Sequence, residues 1–165
     1  SGCDSYFSFE EQLTFHQGKL PDSVPLGDAI ILIFPNPGGK EELSVTVLEM
    51  LLSLGFESCN STKQYIYGAI SKLSFPGLDK GTSIEFLLAK SSSASEDSDL
   101  KKIVVCLLPK ACSRNNTPAK SHAVGQLIKQ HKSSSSTTIY LCPEDPERDG
   151  LAQALAVARQ YPLYR

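Results

Sequence analysis

The sequence predicts an α/β fold with a mostly parallel or mixed central sheet and helices on both faces. Two continuous apolar runs, AIILIFP (29–35) and KIVVCLLP (102–109), are typical of strands buried on both sides. Segments with apolar residues at three- and four-residue spacing separate such runs, and this spacing predicts helices. Strand–helix alternation around buried strands indicates a sheet covered by helices on its two faces.

Overall composition predicts a single soluble domain over residues 1–165. Hydrophobic residues make up 41% and charged residues 21% of the chain, as in ordinary globular proteins. A net charge of −2 gives no general attraction to nucleic acid or to an anionic membrane. The apolar run 29–34 is far shorter than the roughly 20 residues that span a bilayer. We therefore expect neither nucleic acid nor a membrane as a partner.

Five cysteines at irregular spacing, with no C-x-x-C pair, predict reduced thiols instead of disulfides or a zinc site. The start of the chain has no basic segment followed by an apolar one, so we expect no secretory signal. Both observations predict a cytoplasmic protein.

The first half of the chain reads as strand, loop, strand and helix. The aromatic segment 6–15 predicts a strand, 18–28 a proline- and glycine-containing loop, and 29–35 the first buried strand. A helix is predicted over 40–55, with a buried face, acidic residues in its first turn, and Gly55 at its end. That face comprises Leu43, Val47, Met50, Leu51 and Leu54, and the acidic residues are Glu41 and Glu42. Segment 58–74 remains open between helix and strand.

The second half predicts strands at 81–90, 102–109 and 137–142, with helices after the last two. The polar segment 91–101 predicts a solvated loop. Thr117 followed by Pro118 is a helix-start signal, and Asp145 followed by Pro146 repeats it. The helix from 117 would bury Ala123, Val124, Leu127 and Ile128. The last helix, 147–161, would bury Leu151, Ala154, Leu155 and Ala158.

Two loops are candidate ligand or interface sites. PNPGGK (35–40) lies between a strand and a helix, as phosphate loops do, but lacks the spacing of either glycine-rich phosphate motif. Gly38 and Gly39 therefore make either a weak anion contact or a flexible turn. The cluster of Ser113, Arg114, Asn115 and Asn116 is the most specific polar group, because arginine offers five donors and asparagine tolerates left-handed geometry. Alternatively, the two asparagines form the turn and the arginine bonds the loop to a neighbouring segment.

Catalytic and metal-binding patterns are weak. His16, His122 and His131 form no pair with the spacing of a metal-binding helix, so we expect no metal site in this chain. Cys112 or Ser113 with His122 would make a hydrolytic pair only if a third group oriented the histidine, and no such group is evident. The residues by themselves thus predict an α/β domain with no catalytic residue.

SRNNTPAKSH (113–122) together with ALAVARQYPLY (154–164) resembles the N-terminal domain of the leucyl (cytosol) aminopeptidase family. Its closest likeness is to the probable-aminopeptidase-like branch, in which a similar stretch opens a helix. The likeness covers about residues 102–164, and Ser121 departs from the pattern by replacing a small residue. The positions that match are Ser113, Arg114, Asn116, Thr117, Pro118 and His122.

This resemblance implies a three-layer, macro-domain-like fold and a supporting role. In the family, the two-metal site and the N-T-D-A-E-G-R signature lie in a C-terminal catalytic domain, and this signature is absent from the chain. A full-length enzyme would bind two divalent cations, zinc or manganese, act on peptides as substrates and assemble into a homo-hexamer. The chain would then be a non-catalytic domain that contacts its own catalytic domain. An alternative is a free-standing macro-domain-like module that binds ADP-ribose or another phosphate ligand.

Overall fold

A computed structural model describes residues 25–90, 99–111, 120–132 and 136–161. The predicted strand at 6–15 and residues 91–98 of the predicted loop lie outside these residues. The loop prediction is wrong for residues 99–101, which belong to a strand. The described strands are β1 (Ala29–Phe34), β2 (Thr82–Lys90), β3 (Asp99–Leu107) and β4 (Thr137–Leu141). The described helices are α1 (Lys40–Ser53), α2 (Asn60–Ser71), α3 (Ser121–His131) and α4 (Pro146–Ala158).

The described strands form one mixed sheet in the order β2-β3-β1-β4. β1 lies in the interior and runs parallel to both of its neighbours, β3 and β4. β2 pairs antiparallel with β3. The prediction of a mixed, largely parallel sheet is confirmed.

Helices cover both faces of this sheet, as the continuous apolar strands predicted. Every residue of β1 is buried, so successive side chains of this strand enter two different cores. Ile30, Leu32 and Phe34 pack in a cluster with residues of α1 and α2. Ile31 and Ile33 pack in a second cluster with residues of α3 and α4. The fold therefore has three layers.

The segment 58–74, left open by the sequence, contains α2. Ile66 and Ile70 are its two buried residues, and their spacing of four places them on one face of a helix. Exposed residues surround them on the rest of the helix, which explains why the pattern was weak. Two buried isoleucines in twelve residues satisfy a helical period and also fit part of an alternating one.

The predicted buried stripe of α4 is wrong. Leu151 is 72% exposed and Leu155 is 48% exposed. The buried residues are instead Asp149, Gln153, Ala156 and Val157. A Cβ atom added to Gly125 of α3 would meet the side-chain amide of Gln160 at 3.3 Å and the carbonyl of Ala156 at 3.9 Å. α3 and α4 therefore pack through small residues, and this close approach turns the two leucines outward.

The predicted start of the third helix is also wrong. α3 begins at Ser121 because Lys120 adopts the left-handed conformation, with φ of 59°, which a right-handed helix cannot contain. Its first backbone bond runs from the N–H of Val124 to the carbonyl of Lys120. The predicted buried face is confirmed, since Ala123, Val124, Leu127 and Ile128 are all buried.

Gly55 ends α1 as predicted, in a left-handed conformation with φ of 93°. The N–H of Phe56 donates to the carbonyl of Leu51, and the N–H of Gly55 donates to that of Leu52. These two bonds are the Schellman arrangement, which satisfies carbonyls that the helix leaves unpaired.

We predict that Gly55→Ala lowers the free energy of unfolding by about 1–2 kcal/mol, because a Cβ atom strains left-handed backbone. The added Cβ would also meet Cε of Lys90 at 3.2 Å. Gly68→Ala in α2 is the matched control, since nothing lies within 4 Å of a Cβ there. Alanine is the better helix former, so Gly68→Ala should stabilise by up to about 1 kcal/mol. Urea unfolding measures both, and equal signs for the two variants would contradict the prediction.

Candidate functional site

The loops that follow the parallel strands leave the same edge of the sheet. Phe34 and Leu107 are paired at the ends of β1 and β3, and the N–H of Leu108 donates to the carbonyl of Phe34 at 2.9 Å. α1 packs on one face of the sheet, whereas α3 packs on the other. Neighbouring strands whose helices go to opposite faces open a crevice at their carboxyl ends, where α/β proteins commonly bind ligands.

The first candidate loop lies at this edge. Gly38 has φ of 91°, and its N–H donates to Oδ1 of Asn36 at 3.0 Å. Gly39 is the residue before α1. A Cβ atom at either glycine would have no neighbour within 4 Å, so steric crowding does not require glycine at these positions. Lys40 points elsewhere, because its Nζ donates to the carbonyl of Ser71 at 2.6 Å. The turn role of Gly38 is thus accounted for, and an anion contact stays a prediction.

The second candidate cluster, Ser113, Arg114, Asn115 and Asn116, lies outside the described residues, as does Cys112. His122 is described and is exposed on α3. The predicted contact loop, and the hydrolytic pair of Cys112 or Ser113 with His122, remain predictions.

The structure places three other side chains in a continuous hydrogen-bonded chain. Oγ of Ser83 lies 2.7 Å from Nε2 of His131. Nδ1 of the same imidazole lies 2.8 Å from Oε1 of Glu85. Nζ of Lys102 lies 3.5 Å from that carboxylate oxygen. Serine, imidazole and carboxylate are therefore connected in series between β2 and the end of α3.

Local structure explains this arrangement. Ser83 and Glu85 are two residues apart on β2, so both point to the same side of the sheet. His131 is the last residue of α3, the helix that packs on that side, and its side chain is 5% exposed. The sequence offered only the i, i+2 spacing of Ser83 and Glu85. Glu85 and His131 are 46 positions apart in the sequence, so no local pattern predicts their contact.

The charge state of Glu85 follows from its partners. Burial by itself would raise the pKa of this carboxyl group, but the hydrogen bond from His131 and the positive charge of Lys102 outweigh it. The net result is a pKa below the usual value, so Glu85 is ionised at neutral pH. An ionised carboxylate only accepts hydrogen bonds, so Nδ1 of His131 must be the donor.

An open cavity of about 530 Å³ is lined by the segment before β2 and by α3. Gly81, two positions before Ser83, lies against Leu127, one helical turn before His131, and both line the cavity. Two lysines and two glutamines complete its lining: Lys80, Lys129, Gln126 and Gln130.

The described cysteines are free thiols in different environments. Burial raises the pKa of Cys106 to about 12 and that of Cys142 to about 11, so both remain protonated. Cys59 is exposed before α2, and hydrogen bonds from Ser61 and Thr62 lower its pKa to about 7. Cys106 is buried within β3, whereas Cys142 follows β4 directly.

No three His, Cys, Asp or Glu side chains gather into a possible metal site within the described ranges. Among the same residues, no helix is both long and apolar enough to cross a membrane.

The fold is a three-layer α/β domain whose sheet is covered by helices on both faces. The family model described as M17 aminopeptidase N-terminal domain 2 matches residues 78–165, more than half of the chain. The chain belongs to this family, which confirms its resemblance to the N-terminal domain of the leucyl aminopeptidases. Searches of curated proteins and of solved structures returned no match.

Proposed function

We propose that this chain is a supporting domain of a metal-dependent leucyl-type aminopeptidase and carries none of its peptidase chemistry. The observation that carries the proposal is the family match, whose description is that of an N-terminal domain. The complete enzyme would remove N-terminal residues from peptides in the cytoplasm. Its two divalent cations, zinc or manganese, would lie in the C-terminal catalytic domain and not in this chain.

The role of the domain would be to assemble the enzyme as a hexamer and to control access to the active site. Support comes from the outward-facing leucines of α4, Leu151 and Leu155, which lie one turn apart on the same helix face. A leucine exposed over 72% of its surface contributes little to this fold and is suited to burial against another surface.

The occupant of this α4 face would be the protein's own catalytic domain. In an N-terminal domain, the rest of the protein follows the last helix, and α4 is the last helix described. The leucines project from the layer formed by α3 and α4.

The test compares the 165-residue chain with a chain extended through the catalytic domain, using leucyl-amide hydrolysis with added manganese or zinc. We expect the short chain to be silent and the extended chain to be active and oligomeric by light scattering. Leu151→Asp with Leu155→Asp in the extended chain should weaken the packing of this domain on the catalytic domain about 100-fold, measured as faster proteolytic cleavage between the two domains. Each buried leucine contributes about 1.5 kcal/mol, and every 1.4 kcal/mol is a factor of ten.

The matched control is Val45→Asp with Leu52→Asp, an exposed apolar pair on α1 in the opposite layer. It should leave the size and activity of the extended chain unchanged. Leucyl-amide hydrolysis by the short chain would refute the supporting role. An unchanged rate of cleavage between the two domains of the α4 variant would refute the assigned surface.

A further inference from the structure

We propose that Ser83, His131 and Glu85 form a nucleophilic relay that hydrolyses small esters bearing a negative charge. This activity is separate from the peptidase role proposed above and requires no metal. It rests on the series of two short contacts, 2.7 Å from serine to imidazole and 2.8 Å from imidazole to carboxylate. The orienting carboxylate that the sequence did not supply for His122 is present for a different histidine.

The hydrogen bonds fix the imidazole in the form that a general base requires. Ionised Glu85 accepts from Nδ1, so the single proton of a neutral imidazole lies on that nitrogen. Nε2 then carries a lone pair and accepts the hydroxyl proton of Ser83. A serine that donates to an imidazole oriented by a carboxylate is the arrangement that activates serine nucleophiles.

In this relay the base, His131, is buried, whereas the nucleophile, Ser83, is partly exposed. His131 is 5% exposed at the side chain, whereas Ser83 is only partly buried on the outermost described strand of the sheet. Lys102 also contacts Oε1 of Glu85, through an ion pair at 3.5 Å. Low exposure of the base limits competition from water for its lone pair.

The adjacent cavity indicates the class of substrate. Its volume of about 530 Å³ is within the usual range for small-molecule sites. Lys80 and Lys129 line it with ammonium groups, which favour an anionic acyl group.

The reaction needs only the ester and water. Oγ of Ser83 bonds to the acyl carbon while its proton passes to Nε2 of His131. The ester C–O bond then breaks, and the leaving alkoxide takes that proton and departs as an alcohol. A water molecule next gives a proton to Nε2 and attacks the acyl-serine. The serine oxygen recovers the proton, and the free carboxylic acid leaves.

The test uses the 165-residue chain with a fluorophosphonate probe and with two chromogenic esters, mono-4-nitrophenyl glutarate and neutral 4-nitrophenyl butyrate. We expect phosphonylation of Ser83, located by peptide mass spectrometry, and faster hydrolysis of the anionic ester. Ser83→Ala should abolish labelling, and both Ser83→Ala and His131→Gln should lower hydrolysis at least about 100-fold. Ser53→Ala is the control, because the Ser53 hydroxyl donates to the carbonyl oxygen and to the sulfur of Met50 in the same helix.

Hydrolysis should persist in EDTA, which separates this activity from the two-metal peptidase. Absence of probe at Ser83 in the folded wild-type chain would overturn the proposal without recourse to any variant. Hydrolysis that survives Ser83→Ala would overturn it as well. In either case the three residues would serve only to join β2 to α3, and the peptidase role proposed above would stand unaffected.

Discussion

Replacing Ile33 with alanine is expected to lower the free energy of unfolding by about 4 kcal/mol. Ile33 is fully buried in β1, between β3 and β4, and packs in the cluster shared with α3 and α4. Removal of three carbons from such a site loses their transfer free energy and leaves a cavity that neighbouring strands cannot close. Urea unfolding followed by circular dichroism measures the change.

Two further variants make this a test of the three-layer fold. Leu32→Ala should cost a similar amount, because Leu32 is equally buried but faces the cluster of α1 and α2. Leu87→Ala on β2 should change stability by less than about 0.5 kcal/mol, because Leu87 is 52% exposed. If Ile33→Ala or Leu32→Ala cost under about 1.5 kcal/mol, one of the two helical layers would not cover the sheet.

The burial of β1, which these variants test, was predictable from the sequence, whereas the buried face of α4 was not. AIILIF leaves no choice of face, because every position is apolar and so every position is buried. α4 offers two apolar stripes, one with Leu151 and Leu155 and another with Ala156 and Val157. Larger residues favoured the first. The close approach of Gly125 selected the second, and sequence periodicity does not encode which helix lies opposite.

Of the candidate sites, one was likewise predictable from the sequence and the other was not. The loop with Gly38 and Gly39 was predictable, because a glycine pair between a strand and a helix is a local signal. The relay was not, because β2 and α3 bring Ser83 and His131 together across 48 residues. In the sequence, Ser113 and His122 lie near each other, but no group that could orient the histidine is evident there. Tertiary packing instead brings a serine and a carboxylate of β2 to a histidine at the opposite end of α3.

Among the described polar side chains, His131 is expected to have the largest effect on stability. His131→Ala should lower the free energy of unfolding by about 2 kcal/mol, because it removes two hydrogen bonds and leaves a gap between α3 and β2. His122→Ala is the matched control on the same helix. Its side chain is exposed, so its removal should cost less than about 0.5 kcal/mol. Equal decreases in the free energy of unfolding for the two variants would show that the hydrogen bonds of His131 do not stabilise the packing of α3 on β2.

The same contacts predict how stability depends on pH. The pKa of Glu85 is lowered in the folded chain from a usual value of 4.5, so folding favours the ionised form. This stabilisation is fully present above the unfolded pKa and is lost as the pH falls through the lower, folded pKa. Wild-type stability should therefore decline below about pH 4.5, and Glu85→Gln should decline less steeply over that range. Chemical unfolding at successive pH values measures both slopes. Parallel slopes would mean that His131 and Lys102 do not favour the ionised carboxylate, and the imidazole would then lack the partner that holds its proton on Nδ1.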